Sequence, residues 1–125
     1  YFCAPTLVVD VPYSHRLWKH EMFLPITTIG KFKTLEEALD MANDVDYGLT
    51  AGVYGSEEEV EYFFDRIEAG VTYANRPQGA TTGAWPGFQP FGGWKGSGSS
   101  GKNAGGHHYV QLYMHEQIRT LVRPK

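Results

Sequence analysis

Two hydrophobic periods alternate along the first 74 residues. Leu7-Val8-Val9, after Pro5, is a short β-rich run, and Ile26 to Phe32, after Pro25, is a second. Thr34-Leu35-Glu36-Glu37 then has the form of a capping box, in which the threonine hydroxyl and a glutamate carboxylate each satisfy a free backbone N–H. Leu35, Ala38, Leu39, Ala42 and Val45 follow at helical spacing and predict one apolar face. Gly48 comes shortly after this helix, and Leu49 to Tyr54 predicts a strand. The order repeats: Ser56-Glu57-Glu58-Glu59 is another capping box, with acidic residues in the turn where the helix dipole favours them. Val60, Phe63, Phe64 and Ile67 predict the apolar face, Gly70 the C-terminal stop, and Val71 to Ala74 the next strand. His108 to Met114 predicts a short helix and Gln117 to Arg123 a last strand. Strands alternating with amphipathic helices predict βαβ units, an α/β fold and a largely parallel sheet.

Between Asn75 and Gly106 the pattern stops. Ten of the 15 glycines lie there, together with Trp85, Phe88, Phe91 and Trp94. Structureless loops beyond ~12–15 residues are uncommon in compact domains and usually carry function. Large aromatics in such a loop need something to pack against, so the stretch is expected to cover a site or to dock on protein outside this chain.

Composition narrows the class. A chain of 125 residues fits one domain or a piece of one, and its 42% hydrophobic content is too high for a disordered chain. No apolar run approaches the ~20 residues of a membrane span. A single cysteine excludes an intrachain disulfide. The formal charge of −3 argues against a nucleic-acid partner, which would call for a basic face. Tyr1-Phe2-Cys3-Ala4-Pro5 is not the start of a secretory signal, so the expected location is the cytoplasm, or the mitochondrial matrix in a eukaryote.

Several short motifs invite chemistry. Gly96-Ser97-Gly98-Ser99-Ser100-Gly101 matches G-x-G-x-x-G and overlaps a near P-loop ending in Gly101-Lys102-Asn103. Both motifs need a strand before and a helix after, so that backbone N–H groups converge on phosphate. Neither is predicted, and Gly/Ser-rich sequence produces such matches by chance. His107, His108 and His115 fit no metal spacing, and His20-Glu21 lacks the second histidine of H-E-x-x-H, so no metal ligand is assigned. Cys3 has no neighbouring base or helix start to lower its thiol pKa. Glu21 and Phe23 are more informative. Immediately before a strand, residues i and i+2 of an extended backbone share a face. A carboxylate and an aromatic ring could then meet ligand hydroxyls and a flat group together.

Glu21-Met22-Phe23-Leu24-Pro25 resembles the E-x-F-x-P stretch of the aldehyde dehydrogenase superfamily. The order that follows resembles it too: Ala42-Asn43 before Tyr47-Gly48-Leu49-Thr50-Ala51-Gly52-Val53, Ala69-Gly70-Val71 to Asn75, Pro90-Phe91-Gly92-Gly93, and Ser97-Gly98. Within the superfamily, Thr82-Gly83-Ala84-Trp85-Pro86-Gly87-Phe88-Gln89-Pro90-Phe91-Gly92-Gly93 is most similar to the glutamate-semialdehyde (1-pyrroline-5-carboxylate) branch.

The resemblance implies a partial aldehyde dehydrogenase-like α/β domain. Residues 1–115 would be the later half of the catalytic domain, 75–106 the substrate-anchor loop, and 116–125 an oligomerisation strand and tail. It implies NAD as cofactor, with NADP not excluded, Glu21 accepting from ribose hydroxyls and Phe23 packing beside the nicotinamide ribose. The backbone N–H groups of Gly83 and Ala84 would anchor the carboxylate of a carboxylated aldehyde, and Phe91 would pack on its aliphatic part. The expected partners are the rest of the same polypeptide and further copies of it, joined through the C-terminal strand. The family's nucleophilic cysteine and general-base glutamate lie before the E-x-F stretch. No catalytic residue is therefore expected in this chain, which is expected to be inert alone. The alternatives are a dehydrogenase for another aldehyde and a stand-alone binding or oligomerisation module.

Overall fold

A computed structural model of the chain describes residues 1–76, 89–100 and 102–124. Strand β1 (Thr6–Val9) pairs in parallel with β2 (Ile26–Ile29), Thr6 facing Ile26 and Val9 facing Ile29. Helix α1 (Leu35–Asn43) leads to β3 (Tyr47–Gly48) and β4 (Thr50–Val53). Helix α2 (Glu57–Arg66) then crosses over to β5 (Val71–Ala74), which lies parallel to β4 with Thr50 opposite Val71. The predicted βαβ unit is thus β4-α2-β5. A short strand the hydrophobic pattern missed, β6 (Trp94–Lys95), runs antiparallel to β3. Two 3₁₀ turns complete the described elements, Arg16–Trp18 and Val110–Tyr113, the second inside the helix expected from His108 to Met114.

Both helix starts follow their capping residues. Ser56 and Glu59 form the full reciprocal box: the Glu59 amide donates to Ser56 Oγ at 3.3 Å and the Ser56 amide to Glu59 Oε2 at 2.7 Å. At α1 the Glu37 amide donates to Thr34 Oγ1, but the Glu37 carboxylate accepts from the Lys33 amide, one residue earlier than the motif predicts. The core is small: Leu39 of α1 packs with Phe63, Ile67 and Ala69, with Leu35, Ala51, Val53 and Tyr62 around them. Phe64, assigned to the same face as Phe63, is exposed, because adjacent helical residues point about 100° apart.

A second anchor ties the 10–20 segment to α1. Lys19 Nζ lies 2.5 Å from Asp44 Oδ2, and the Tyr13 hydroxyl donates to that oxygen and to the Met41 carbonyl. The Lys19 contact, followed by the Tyr13 bond, holds the Asp44 carboxyl below its ordinary range. The hydrogen bond to Asp44 in turn raises Lys19.

Much apolar surface has no cover. The chain exposes 10352 Å² at 14.0 kDa, against about 6,700 Å² from the surface–mass scaling of folded monomers. Leu7, Val9, Ile29 and Phe32 are exposed around the β1–β2 pair, as are Ile118, Leu121 and Val122 near the other end. Residues 117–123, expected as a strand, form no ladder with the described residues. A strand exists through its ladder bonds, and no described edge of this chain pairs with the segment. Among the described residues no helix is long and apolar enough to cross a membrane.

Gly70 differs from its expected role. Helix α2 ends at Arg66, the cap residue Ile67 is extended, and Gly70 is not among the left-handed residues. It is small because β5 begins against another backbone: a Cβ at Gly70 would lie 1.9 Å from the Gly92 carbonyl oxygen. Gly70→Ala is expected to destabilise the protein by about 1–3 kcal/mol, the range for overpacking a site that cannot relax. Chemical denaturation checks this; an unchanged midpoint would remove the contact from the account.

Candidate functional site

The site residues fall on two structural units. Glu21 and Phe23 lie on the bend that leads into β2, and Phe91 lies on the segment leading to β6. Phe23 has φ +52° and Ile26 N donates to the Leu24 carbonyl at 2.7 Å, so the chain turns tightly at 23–25. The extended backbone assumed for Glu21 and Phe23 is therefore absent, and the i, i+2 argument for a shared face does not hold. Both side chains are nonetheless open. Phe23 is 89% exposed, and Glu21 forms no hydrogen bond or ion pair with the described residues. Each group is separately suited to a ligand: an exposed carboxylate accepts hydroxyl hydrogen bonds, and an open ring covers a flat group.

Phe91 is half-buried and its backbone is pinned. Its amide donates to the Ala104 carbonyl at 2.7 Å and its carbonyl accepts from the Ala104 amide at 2.9 Å. Gly92 and Gly93 behind it are buried, with the Gly92 carbonyl against Gly70. No hydrogen bond, ion pair or ring contact links Phe91 to Glu21 or Phe23 among the described residues. Gly83 and Ala84 lie outside the described residues.

The end of β5 shapes the approach to this region. Asn75 has φ +48°, and its side chain exchanges two hydrogen bonds with the Gly55 backbone, each 2.9 Å. The amide group extends the β4–β5 ladder by imitating a peptide unit. Gly70, Val71, Thr72, Tyr73, Arg76, Gln89 and Pro90 line a cavity of about 470 Å³ beside it. The sequence marks Asn75 as the end of a motif but not its capping role, nor Arg76; an Asn directly after a β-rich run, where it tolerates a left-handed turn, is the available signal.

The tempting motifs resolve differently. Around Gly96 the chain makes a turn, with Ser97 N donating to the Trp94 carbonyl at 3.0 Å, and among the described residues no helix begins at Lys102. A phosphate cradle built on a helix N-terminus is absent from the described residues. The His107 and His108 rings lie 3.9 Å apart, and burial followed by the His107 charge lowers the His108 pKa. No group of three or more His, Cys, Asp or Glu gathers among the described residues. Cys3 is exposed.

The model of the aldehyde dehydrogenase family matches residues 1–118. The chain is 40% identical over 115 residues to 1-pyrroline-5-carboxylate dehydrogenase of Bacillus thuringiensis (strain Al Hakam), covering 91% of this chain and 22% of that protein. Crystallographic 1-pyrroline-5-carboxylate dehydrogenase from Thermus with bound NAD superposes with a TM-score of 0.81 at 40% identity, over 90% of this chain and 21% of that one. A lactaldehyde dehydrogenase structure reaches 0.82 at 34% identity, over 97% of this chain and 24% of its own. The chain thus spans about a fifth of the length of the relatives it matches. With the family model covering nearly all of it, the βαβ unit and the pinned glycine segment in place, the chain belongs to the aldehyde dehydrogenase family.

Proposed function

We propose that the chain is the later part of an NAD-dependent dehydrogenase that oxidises L-glutamate γ-semialdehyde to L-glutamate. The observation that carries the reading is the 40% identity, over 91% of the chain, to 1-pyrroline-5-carboxylate dehydrogenase. The NAD-bound Thermus structure of like fold supports the choice of cofactor. When bound, NAD accepts the hydride; everything this chain supplies is binding and orientation. The free Glu21 carboxylate accepts hydrogen bonds from ribose hydroxyls, and the open Phe23 ring packs beside the nicotinamide ribose. The backbone N–H groups of Gly83 and Ala84 receive the substrate's α-carboxylate, an anion that glycine allows to approach closely. Phe91 packs on the substrate methylenes. The thiolate that attacks the aldehyde and the base that activates water come from sequence outside this chain. Further copies pair through residues 117–123, which have no ladder partner among the described residues.

Similarity to lactaldehyde dehydrogenase favours a second reading, oxidation of a small aldehyde without an α-amino acid end. Steady-state kinetics of the full-length enzyme separate the two. The first predicts a kcat/KM for glutamate semialdehyde at least about 100-fold above that for propanal, the worth of a charge-assisted anion contact. Equal values would favour the second.

Two substitutions test the residues. Gly83→Val is expected to raise KM for the semialdehyde about tenfold or more, because a β-branched side chain obstructs the backbone anion nest. KM for NAD should stay the same, and an unchanged semialdehyde KM would remove the anchor. Glu21→Gln keeps the shape but loses the charge-assisted acceptor, so KM for NAD is expected to rise roughly 10-fold. An unaltered NAD response would contradict the ribose contact.

A further inference from the structure

Lys95 has no part in the binding scheme above, yet its surroundings are built around its ammonium group. Nζ donates to the Asn43 carbonyl at 2.5 Å and to the Val45 carbonyl at 3.3 Å, and lies 2.5 Å from Glu68 Oε2. An ammonium has three donors, and here three acceptors meet it. The Asn43 carbonyl is one of those left without an intrahelical partner at the end of α1, where the helix dipole favours a cation. The Asn43 side chain meanwhile joins the end of α2, with Nδ2 donating to the Arg66 carbonyl at 2.8 Å and Oδ1 accepting from the Glu68 amide at 2.9 Å. The end of α1 therefore meets the lysine directly, and the end of α2 is joined to it through the Asn43 side chain and the Glu68 carboxylate.

The backbone at this position points the same way. Lys95 has φ +52°, a conformation that favours glycine, and glycines stand at 93 and 96 on either side of it. A side chain is kept where glycine would be less strained, so the side chain has a use. The neighbouring turn is fixed with it: Gly96 N donates to the Asp46 carbonyl at 2.8 Å, and Ser97 Oγ accepts from the Gly48 amide at 3.1 Å. Phe91 is four residues away through Gly92, Gly93 and Trp94, the two glycines held by backbone contact alone, with the Gly92 carbonyl against Gly70. Its hydrogen-bonded anchors are the Ala104 pair on one side and, on the other, the β3–β6 pairing at Trp94–Lys95 together with the Lys95 ammonium cluster.

We propose that Lys95 is a positioning residue for the substrate, its ammonium locking the 91–95 segment to the ends of α1 and α2 so that Phe91 is held against the aldehyde. The proposal rests on the dehydrogenase reading above for its substrate, but its structural half can be measured without it. In the full-length enzyme, Lys95→Met is expected to speed amide exchange in residues 89–98 by about tenfold or more, with α2 unchanged. It should raise KM for the semialdehyde by about tenfold while KM for NAD moves less than about twofold, and Lys95→Arg should recover most of the loss. Unchanged exchange in 89–98 would overturn the proposal. So would equal rises in both KM values with a falling unfolding midpoint, the mark of general destabilisation. If the wild-type enzyme turns over no semialdehyde, the substrate reading falls and the exchange result alone decides Lys95. If Lys95→Met does not accumulate as folded protein, Glu68→Gln is measured in the same way. It removes one charged acceptor, with an expected change of about threefold in exchange and in semialdehyde KM; no change in either would overturn the proposal.

Discussion

The contact on which the rest of the described structure depends is the meeting of two helix ends with a backbone of glycines. Helix α1 stops at Asn43, α2 stops at Arg66, and the Asn43 amide bonds both the last α2 carbonyl and the Glu68 amide beyond it. From this junction β4 and β5 leave side by side: Gly70 N donates to the Gly48 carbonyl and Val71 N to the Leu49 carbonyl. Gly48 and Gly70 are small for one reason. A Cβ at Gly48 would lie 2.3 Å from the Glu68 carbonyl oxygen, and one at Gly70 would meet the Gly92 carbonyl. Side chains at either position would push these backbones apart, so both glycines are needed for the 91–98 segment to lie against the β4–β5 unit.

A core of this size does not enclose the whole chain. Leu39 and Phe63 are the most buried large residues, while the β1–β2 pair carries apolar side chains into the open. Parallel sheets normally have both faces covered, so a two-stranded parallel pair with exposed Leu7, Val9 and Ile29 is an incomplete layer. The relatives are about five times as long as the matched region, which agrees with the surface in excess.

Local rules read the helix starts and strand segments of the first 74 residues well, because capping and side-chain pattern there agree with the pairing. Val71–Ala74 has the boundaries that its β-branched and aromatic residues predict, and Ser56 with Glu59 closes the box its spacing predicts. The errors arise where partners distant in sequence decide. Trp94–Lys95 is a strand only because Tyr47–Gly48 lies beside it, and Gly70 is a glycine because of Gly92 rather than because a helix ends nearby. Phe23 takes a left-handed φ that no pattern signals, which removed the geometric argument for pairing it with Glu21. Phe91 stands in a motif visible in the sequence, whereas nothing local signals the Lys95 cluster, since the acceptors it binds lie 50 and 52 residues earlier and 27 residues earlier.

The functional account joins two units of the chain: an open carboxylate and ring before β2, and a pinned aromatic before β6. Their joint role is the central claim, and a crystal structure of the full-length protein with NAD and L-glutamate tests it most directly. The account predicts the nicotinamide ribose hydroxyls within hydrogen-bond distance of Glu21, and the glutamate methylenes against Phe91 with the α-carboxylate at the 83–84 amides. Glutamate bound away from Phe91, or a ribose bound without Glu21, would contradict it.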